Sequence, residues 1–253
     1  MNRPDRATLE HPFVLSARGD SKQISKMIGD GLAGQQLALV LLFCPEGDKV
    51  APICADISRD CGKQCRVLAC SSAGGFSFTG YDDQSVIAIA FPATSFAAKA
   101  VWLTRLRQHM ALDWMTTLRN LSDGFSARLG QNRFGLLLID GASGREEVVT
   151  ATIDATIPEL LVLGGSAGDG LRFGQTRLAM DGDERPESAL FCMIATDFDI
   201  EEIVFDHFHP VGEPMVVTDA DPDNRISHLQ SLLPQAEQFR QKYCGSGAAA
   251  AMR

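Results

Sequence analysis

Long apolar runs are missing from this chain: none approaches the ~20 residues that a membrane-spanning helix needs. Residues Met1 to Glu10 are polar and charged, so no secretory signal peptide is expected, and the location is expected to be cytoplasmic. Positive charge is scarce. Lys and Arg number 23 against 32 Asp and Glu, a formal charge of −9, which argues against nucleic acid, whose phosphates demand a basic face. Neither G-x-G-x-x-G nor a Walker lysine follows a glycine turn, which counts against dinucleotide and triphosphate binding. Paired C-x-x-C knuckles are absent too. Five of the seven cysteines fall between Cys44 and Cys70, and Cys54, Cys61, Cys65 and Cys70 have neither zinc-ligand spacing nor a nearby histidine. Reduced thiols in a cytosolic protein are the expected state.

What is present is a repeat. Leu161-Val162-Leu163-Gly164-Gly165-Ser166-Ala167-Gly168-Asp169-Gly170 is an apolar run that breaks into small residues. The same figure occurs as Val67-Leu68-Ala69-Cys70-Ser71-Ser72-Ala73-Gly74-Gly75, with Ser-Ala-Gly offset by 166 − 72 = 94. Before the copies lie the apolar strands Leu37 to Phe43 and Phe134 to Asp140, offset by 134 − 37 = 97. After them come Val86 to Phe91 and Ala189 to Ala195. Offsets drift as surface insertions allow. Nearly half the residues are apolar, enough to bury a real core.

Each half therefore reads strand, helix, strand, small-residue turn, strand. The expected fold is α/β, a layered mixed-sheet domain built from two repeated β-α-β-β units with covering helices. In chain order, residues 1–31 form an N-terminal segment and helix, with Ile24, Met27, Ile28 and Leu32 on one face and Asp20 or Ser21 as cap. A helix is predicted from about Lys49 to Cys61, with Pro52 in its first turn. Phe76 to Asp83 is predicted as a hairpin partner of the strand at 85–91, closed by Tyr81-Asp82-Asp83-Gln84. Residues 97–106 fit strand or helix. Trp114, Leu118, Leu121 and Phe125 mark a helix from about 110 to 129, and Glu146 to Ile157 another. Strands are predicted at 172–180, 188–196, 202–208 and 215–218. From Ser227 the composition turns to Gln, Ser and Lys and ends on an alanine run, a tail with no evident place in a core.

Three groups of residues carry candidate chemistry. Small residues after a strand can cradle phosphate with backbone amides, but a strand is predicted after each glycine turn, and close packing of the two halves is the favoured use of these glycines. Cys70, Ser71, Ser72 and Ser166 stand at strand ends as possible nucleophiles of a small-molecule hydrolase. No nucleophile elbow and no accompanying base is read beside them. His207 and His209 share one face of a predicted strand flanked by Phe205 and Phe208, a geometry open to a metal or haem iron and equally to a half-exposed strand end.

Val67 to Gly75, Leu163 to Asp169, Ala189 to Ile194 and above all Pro210-Val211-Gly212-Glu213-Pro214-Met215-Val216-Val217-Thr218 resemble the FIST domain. That sensory module occurs in bacterial signalling proteins and some F-box proteins, and the resemblance covers residues 32–226, with pseudo-repeats at about 32–96 and 130–208. It implies a non-catalytic sensory domain that binds a small ligand, amino acids having been proposed. Ser72, Gly74, Ser166, Gly168 and Asp169 are the expected ligand contacts. A bacterial subgroup binds haem, responds to nitric oxide and acts on a histidine kinase or a cyclic-di-GMP enzyme. On that likeness haem is the expected cofactor, with His207 preferred over His209 because Pro210 restricts its neighbour. The C-terminal part of the domain is expected to continue past Asp221, whereas residues 227–253 depart from it, as a shortened domain would.

Overall fold

Every residue of Leu37–Cys44 but Phe43 is buried, and the alternation of its side chains says against what. Val40, Leu42 and Cys44 turn toward two helices, whereas Leu39 and Leu41 turn toward a second sheet. A strand covered on both faces needs no polar positions, which is why the sequence shows an unbroken apolar run there. The computed structural model describes residues 10–77, 80–108, 110–125, 132–169 and 175–200, all within the compact unit Met1–Ile200. His207 and His209, the strands expected at 202–208 and 215–218, and the tail lie outside the described residues.

The elements, in order, are β1 (Phe13–Ala17), α1 (Ser21–Leu32), β2 (Leu37–Cys44), α2 (Val50–Cys61), β3 (Arg66–Ser71), β4 (Gly75–Ser77), β5 (Gly80–Asp82) and β6 (Val86–Pro92). Then follow β7 (Phe96–Thr104), α3 (Ala111–Asp123), β8 (Asn132–Asp140), α4 (Glu146–Thr156), β9 (Leu161–Ala167), β10 (Leu178–Met180), β11 (Asp183–Glu184) and β12 (Ser188–Thr196). One sheet has the order β1-β6-β2-β3-β10-β11 and the other β7-β12-β8-β9. None of the described helices is long and apolar enough to cross a membrane.

Four strands of each sheet correspond one to one. β1, β6, β2 and β3 stand in the same order as β7, β12, β8 and β9. In both units the last pair, β2 with β3 and β8 with β9, is parallel, and its register is identical: Leu39 pairs with Arg66 and Phe134 with Leu161, 27 residues apart in each case (66 − 39 and 161 − 134). β6 and β12 then pair antiparallel with β2 and β8. The repeated unit is β-α-β-α-β-β, longer at its start by a strand and a helix than the stretch that the sequence makes visible. β1 and α1 are the counterparts of β7 and α3.

Side-chain alternation stacks four layers. Ile24 and Ile28 of α1 and Ile53 and Ile57 of α2 cover the outer face of the first sheet. Trp114, Leu118 and Leu121 of α3 and Val149 and Ile153 of α4 cover the second. Between the sheets, Leu39, Leu41 and Leu68 meet Leu136, Leu138 and Leu190. Each fully buried Leu or Ile contributes roughly 1.5–3 kcal/mol of transfer free energy. Local signals agree with this plan. Asp20 and Gln23 form a reciprocal capping box at the start of α1, worth about 1 kcal/mol, and Trp114 Nε1 donates to the Thr104 carbonyl at 2.9 Å.

Several boundaries differ from expectation. Gly75–Ser77 and Gly80–Asp82 form their own two-stranded ribbon, β4 with β5, rather than a partner for β6, whose edges are taken by β1 and β2. The ambiguous stretch is strand β7, paired with β12 along its whole length. Helix α3 stops at Asp123, where Gly124 follows, instead of running to 129, although Phe125 still reaches the core. Of the strand expected at 172–180, Leu178–Met180 is seen.

Candidate functional site

The carboxyl ends of parallel strands are where α/β sheets place ligands. Here β2 and β3 end together in one sheet, and β8 and β9 end together in the other. The two sets of ends are joined: the N–H of Gly168, just past β9, donates to the carbonyl of Ser71, the last residue of β3, at 3.0 Å. A Cβ on Gly168 would lie 3.3 Å from the Ala73 amide nitrogen. The two small-residue turns therefore pack against each other, and the absence of a side chain at Gly168 sets their separation.

The tripeptide Gln175-Thr176-Arg177 clasps this seam. The Gln175 N–H donates to Asp169 Oδ2 at 2.7 Å, the Thr176 hydroxyl donates to Asp140 Oδ1, and the Arg177 N–H donates to Ser71 Oγ at 2.9 Å. Ser71 returns its own N–H to the Arg177 carbonyl at 2.9 Å. The chain then enters β10, which pairs antiparallel with β3. So a segment of the second unit completes the sheet of the first, and Asp181 fixes it there, accepting the Val67 N–H at 2.9 Å and pairing with Arg66.

Beside the clasp a cleft of about 350 Å³ opens between Glu46, Gly47, Asp48, Gln175 and Arg177. Arg177 Nη1 lies 2.5 Å from Glu184 Oε1, and this hydrogen bond, then the charges of Glu184 and Asp48, hold the guanidinium more firmly protonated than usual. The lining thus carries a cation and two carboxylates, Asp48 and Glu46, the latter also paired with Lys49 Nζ at 2.6 Å. This arrangement suits a small molecule with charges of both signs. None of the residues lining the cleft stands out in the sequence. They are assembled by a crossing from one sheet to the other, which no local pattern announces.

The residues expected to contact a ligand fall into different places. Ser72 is half-buried beside the seam, its Oγ accepting the Gly74 N–H at 3.4 Å, and its own N–H bonds the Cys44 carbonyl. Asp169 is 4% exposed and holds Gln175, so it shapes the clasp from within. Ser166 does not line the cleft and donates to Glu146 Oε1 at 2.9 Å. Gly164 to Gly168 do spell G-x-S-x-G, contrary to the expectation that no such motif is present. Yet Ser166 lies inside extended β9 and not on a strand-to-helix turn, so it is no nucleophile elbow.

Cys70 is unsuited to nucleophilic chemistry. It points between the sheets at 3% exposure, and burial pushes its thiol up to about 12. Cys54 and Cys70 lie on opposite faces of the first sheet, and among the described residues no three His, Cys, Asp or Glu side chains gather as metal ligands. Within the described residues the one histidine is His11, stacked on Phe198 with ring centroids 4.7 Å apart.

A family model, the FIST N domain, matches residues 38–231. No individual curated protein matches the chain. Among solved structures, a cyanuric acid hydrolase from A. caulinodans is similar at 7% identity, over 74% of this chain and 72% of that one, with a TM-score of 0.39. A likeness that low carries no functional argument.

Proposed function

The chain belongs to the FIST family of sensory signal-transduction domains, and on that premise we propose that it senses a small zwitterionic molecule of the amino-acid class in the cleft of Glu46, Asp48, Gln175 and Arg177. One observation carries this reading: the segment after β2 and the clasp from the second unit meet at a cleft whose lining bears a guanidinium and two carboxylates. Arg177 would take the ligand carboxylate, and Asp48 and Glu46 its ammonium. Occupancy would be felt in both sheets, because Arg177 lies in the segment that clasps Ser71, Asp140 and Asp169 together.

The role proposed is non-catalytic, in the bacterial cytoplasm, with the output passed to a separate protein such as a histidine kinase or a cyclic-di-GMP enzyme. A thermal-shift screen of amino acids tests it. A ligand at a hundred times its Kd adds about 2.7 kcal/mol of stability and moves the midpoint visibly. A flat response across the panel would remove the reading.

Haem with nitric-oxide sensing is the finer form suggested by the family. The described residues do not fit haem: the cleft is lined by charged side chains rather than an apolar slot, and His11 is engaged with Phe198. If His207 or His209 supplies an axial ligand, a haem titration of the full chain gives a sharp Soret band that His207→Ala or His209→Ala abolishes. A broad free-haem spectrum with the unaltered chain would end that form of the proposal.

A further inference from the structure

α2 ends at Cys61, and the chain turns back into β3 within four residues. The Gly62 N–H bonds the Ser58 carbonyl at 3.0 Å, and the Cys65 N–H bonds the Gly62 carbonyl at 3.2 Å. This tight return leaves Cys61 packed against the cluster that holds Cys65, whose own Sγ donates to the Arg66 carbonyl at 3.4 Å. The pair is asymmetric in access. Cys65 is 2% exposed and packs into the layer between the helices and the first sheet, while Cys61 is half-buried. Cys61 also lines a cleft of about 570 Å³ together with Lys26, Gly29, Asp30, Gly34 and Asp60.

The other described cysteines form a contrast. Cys44, Cys54, Cys70 and Cys192 are sealed in cores, and burial pushes each of their thiols up, to about 12 for the last three. Cys61 moves the other way: the neighbouring Cys65 side chain lowers its thiol, against burial and the charge of Asp60. The same interaction and burial raise Cys65. An accessible sulfur favoured as thiolate, one tight turn away from a sheltered thiol, is the arrangement of an attacking and a resolving cysteine.

We propose that Cys61 and Cys65 form a reversible dithiol–disulfide site open to peroxides through the cleft between α1 and α2. Cys61 sulfur attacks one oxygen of hydrogen peroxide; an S–O bond forms, the O–O bond breaks, and the departing hydroxide takes a proton to leave as water. Cys65 sulfur then attacks the Cys61 sulfenic acid; the S–S bond forms, the S–O bond breaks, and the expelled hydroxide takes the Cys65 proton to leave as a second water. Two thiols are oxidised by two electrons and one peroxide is reduced to two waters. A small-molecule thiol restores the pair by exchange. The disulfide would staple the end of α2 to the start of β3, at the opposite end of both elements from Ser71 and the seam.

The test uses the full chain, treated with hydrogen peroxide, blocked with N-ethylmaleimide and digested without reduction for mass spectrometry. The expected product is a Cys61–Cys65 disulfide, formed before any other cysteine is oxidised and reversed by dithiothreitol. In Cys65→Ser, dimedone should trap Cys61 sulfenic acid that the unaltered chain does not accumulate. Free thiols at both positions, over-oxidation of Cys61 without a disulfide, or preferential pairing of another cysteine would each overturn the proposal. The peptide map of the unaltered chain decides the question even if a variant fails to fold.

Discussion

The N–H of Gly168 donates to the carbonyl of Ser71 at 3.0 Å, bonding the turn that follows β9 to the end of β3. Two strand ends that belong to different units are thereby held as close as neighbours in one sheet. The bond depends on a residue with no side chain, since a Cβ at 168 would press on Ala73. In Gly168→Val the turns should be forced apart at a cost of roughly 1–3 kcal/mol, the range for overpacking a close contact. Urea unfolding measures it. A change within about 0.5 kcal/mol, typical of an unconstrained surface site, would mean that the seam tolerates separation.

Gly164 and Gly165 offer a paired comparison inside β9. Gly164 has φ +154°, and a Cβ there would sit 1.9 Å from the Leu137 carbonyl oxygen, whereas a Cβ on Gly165 meets nothing within 4 Å. Gly164→Ala should lower stability by about 3 kcal/mol or more, by backbone strain and displacement of β8, and Gly165→Ala should be close to neutral. Equal effects in chemical denaturation would contradict the strand geometry.

Asp82 gives the fold a pH signature. Burial alone would push its carboxyl up, but hydrogen bonds from the Ser85 hydroxyl, the Arg18 guanidinium and the Gln84 and Ser85 N–H groups hold it well below the usual carboxylate range. A carboxyl depressed in the folded state contributes stability that is fully present above its unfolded pKa of ~3.9 and fades as pH falls toward the folded value. The stability gap between the unaltered chain and Asp82→Asn should therefore hold from pH 7 to 5 and narrow below pH ~4. Urea midpoints at successive pH values report it; a gap that stays constant to pH 3 would count against the Asp82 cluster.

The crossing segment should loosen when its anchor is removed. Asp181 accepts the Val67 N–H and pairs with Arg66, so Asp181→Ala removes both restraints on β10. Amide exchange at Leu178–Met180 and on the facing Leu68–Cys70 should accelerate while exchange in β8 and β12 does not. Uniform acceleration through both sheets would show that Asp181 supports the whole unit instead.

Much of this architecture is legible because β2 and β8 lie buried on both faces and so appear as continuous apolar runs. α1, α2 and α4 are legible within a residue or two from their periodicity. The repeat was visible where its strands are most apolar and invisible at its start. β1 has five residues and becomes a strand through pairing with β6, and β7 is half-buried along most of its length, so its alternation is blurred. The cleft was illegible for a different reason. Asp48 follows β2, while Gln175 and Arg177 arrive by a crossing from the other unit; separation in sequence hides what register and topology bring together. Ser166 shows the converse, a residue at a suggestive spacing that the extended backbone of β9 turns toward Glu146.

In the proposed sensor the cleft beside the seam binds a zwitterion through Arg177. Isothermal titration calorimetry of the full chain with the strongest amino acid from a thermal-shift panel, against Arg177→Gln and Ser166→Ala, tests this. Saturable one-site binding is expected, which Arg177→Gln weakens by about tenfold or more, as loss of a charge-assisted contact worth ~1.5–3 kcal/mol requires, and which Ser166→Ala leaves unchanged. Binding that survives Arg177→Gln undiminished, or that Ser166→Ala abolishes, would contradict it.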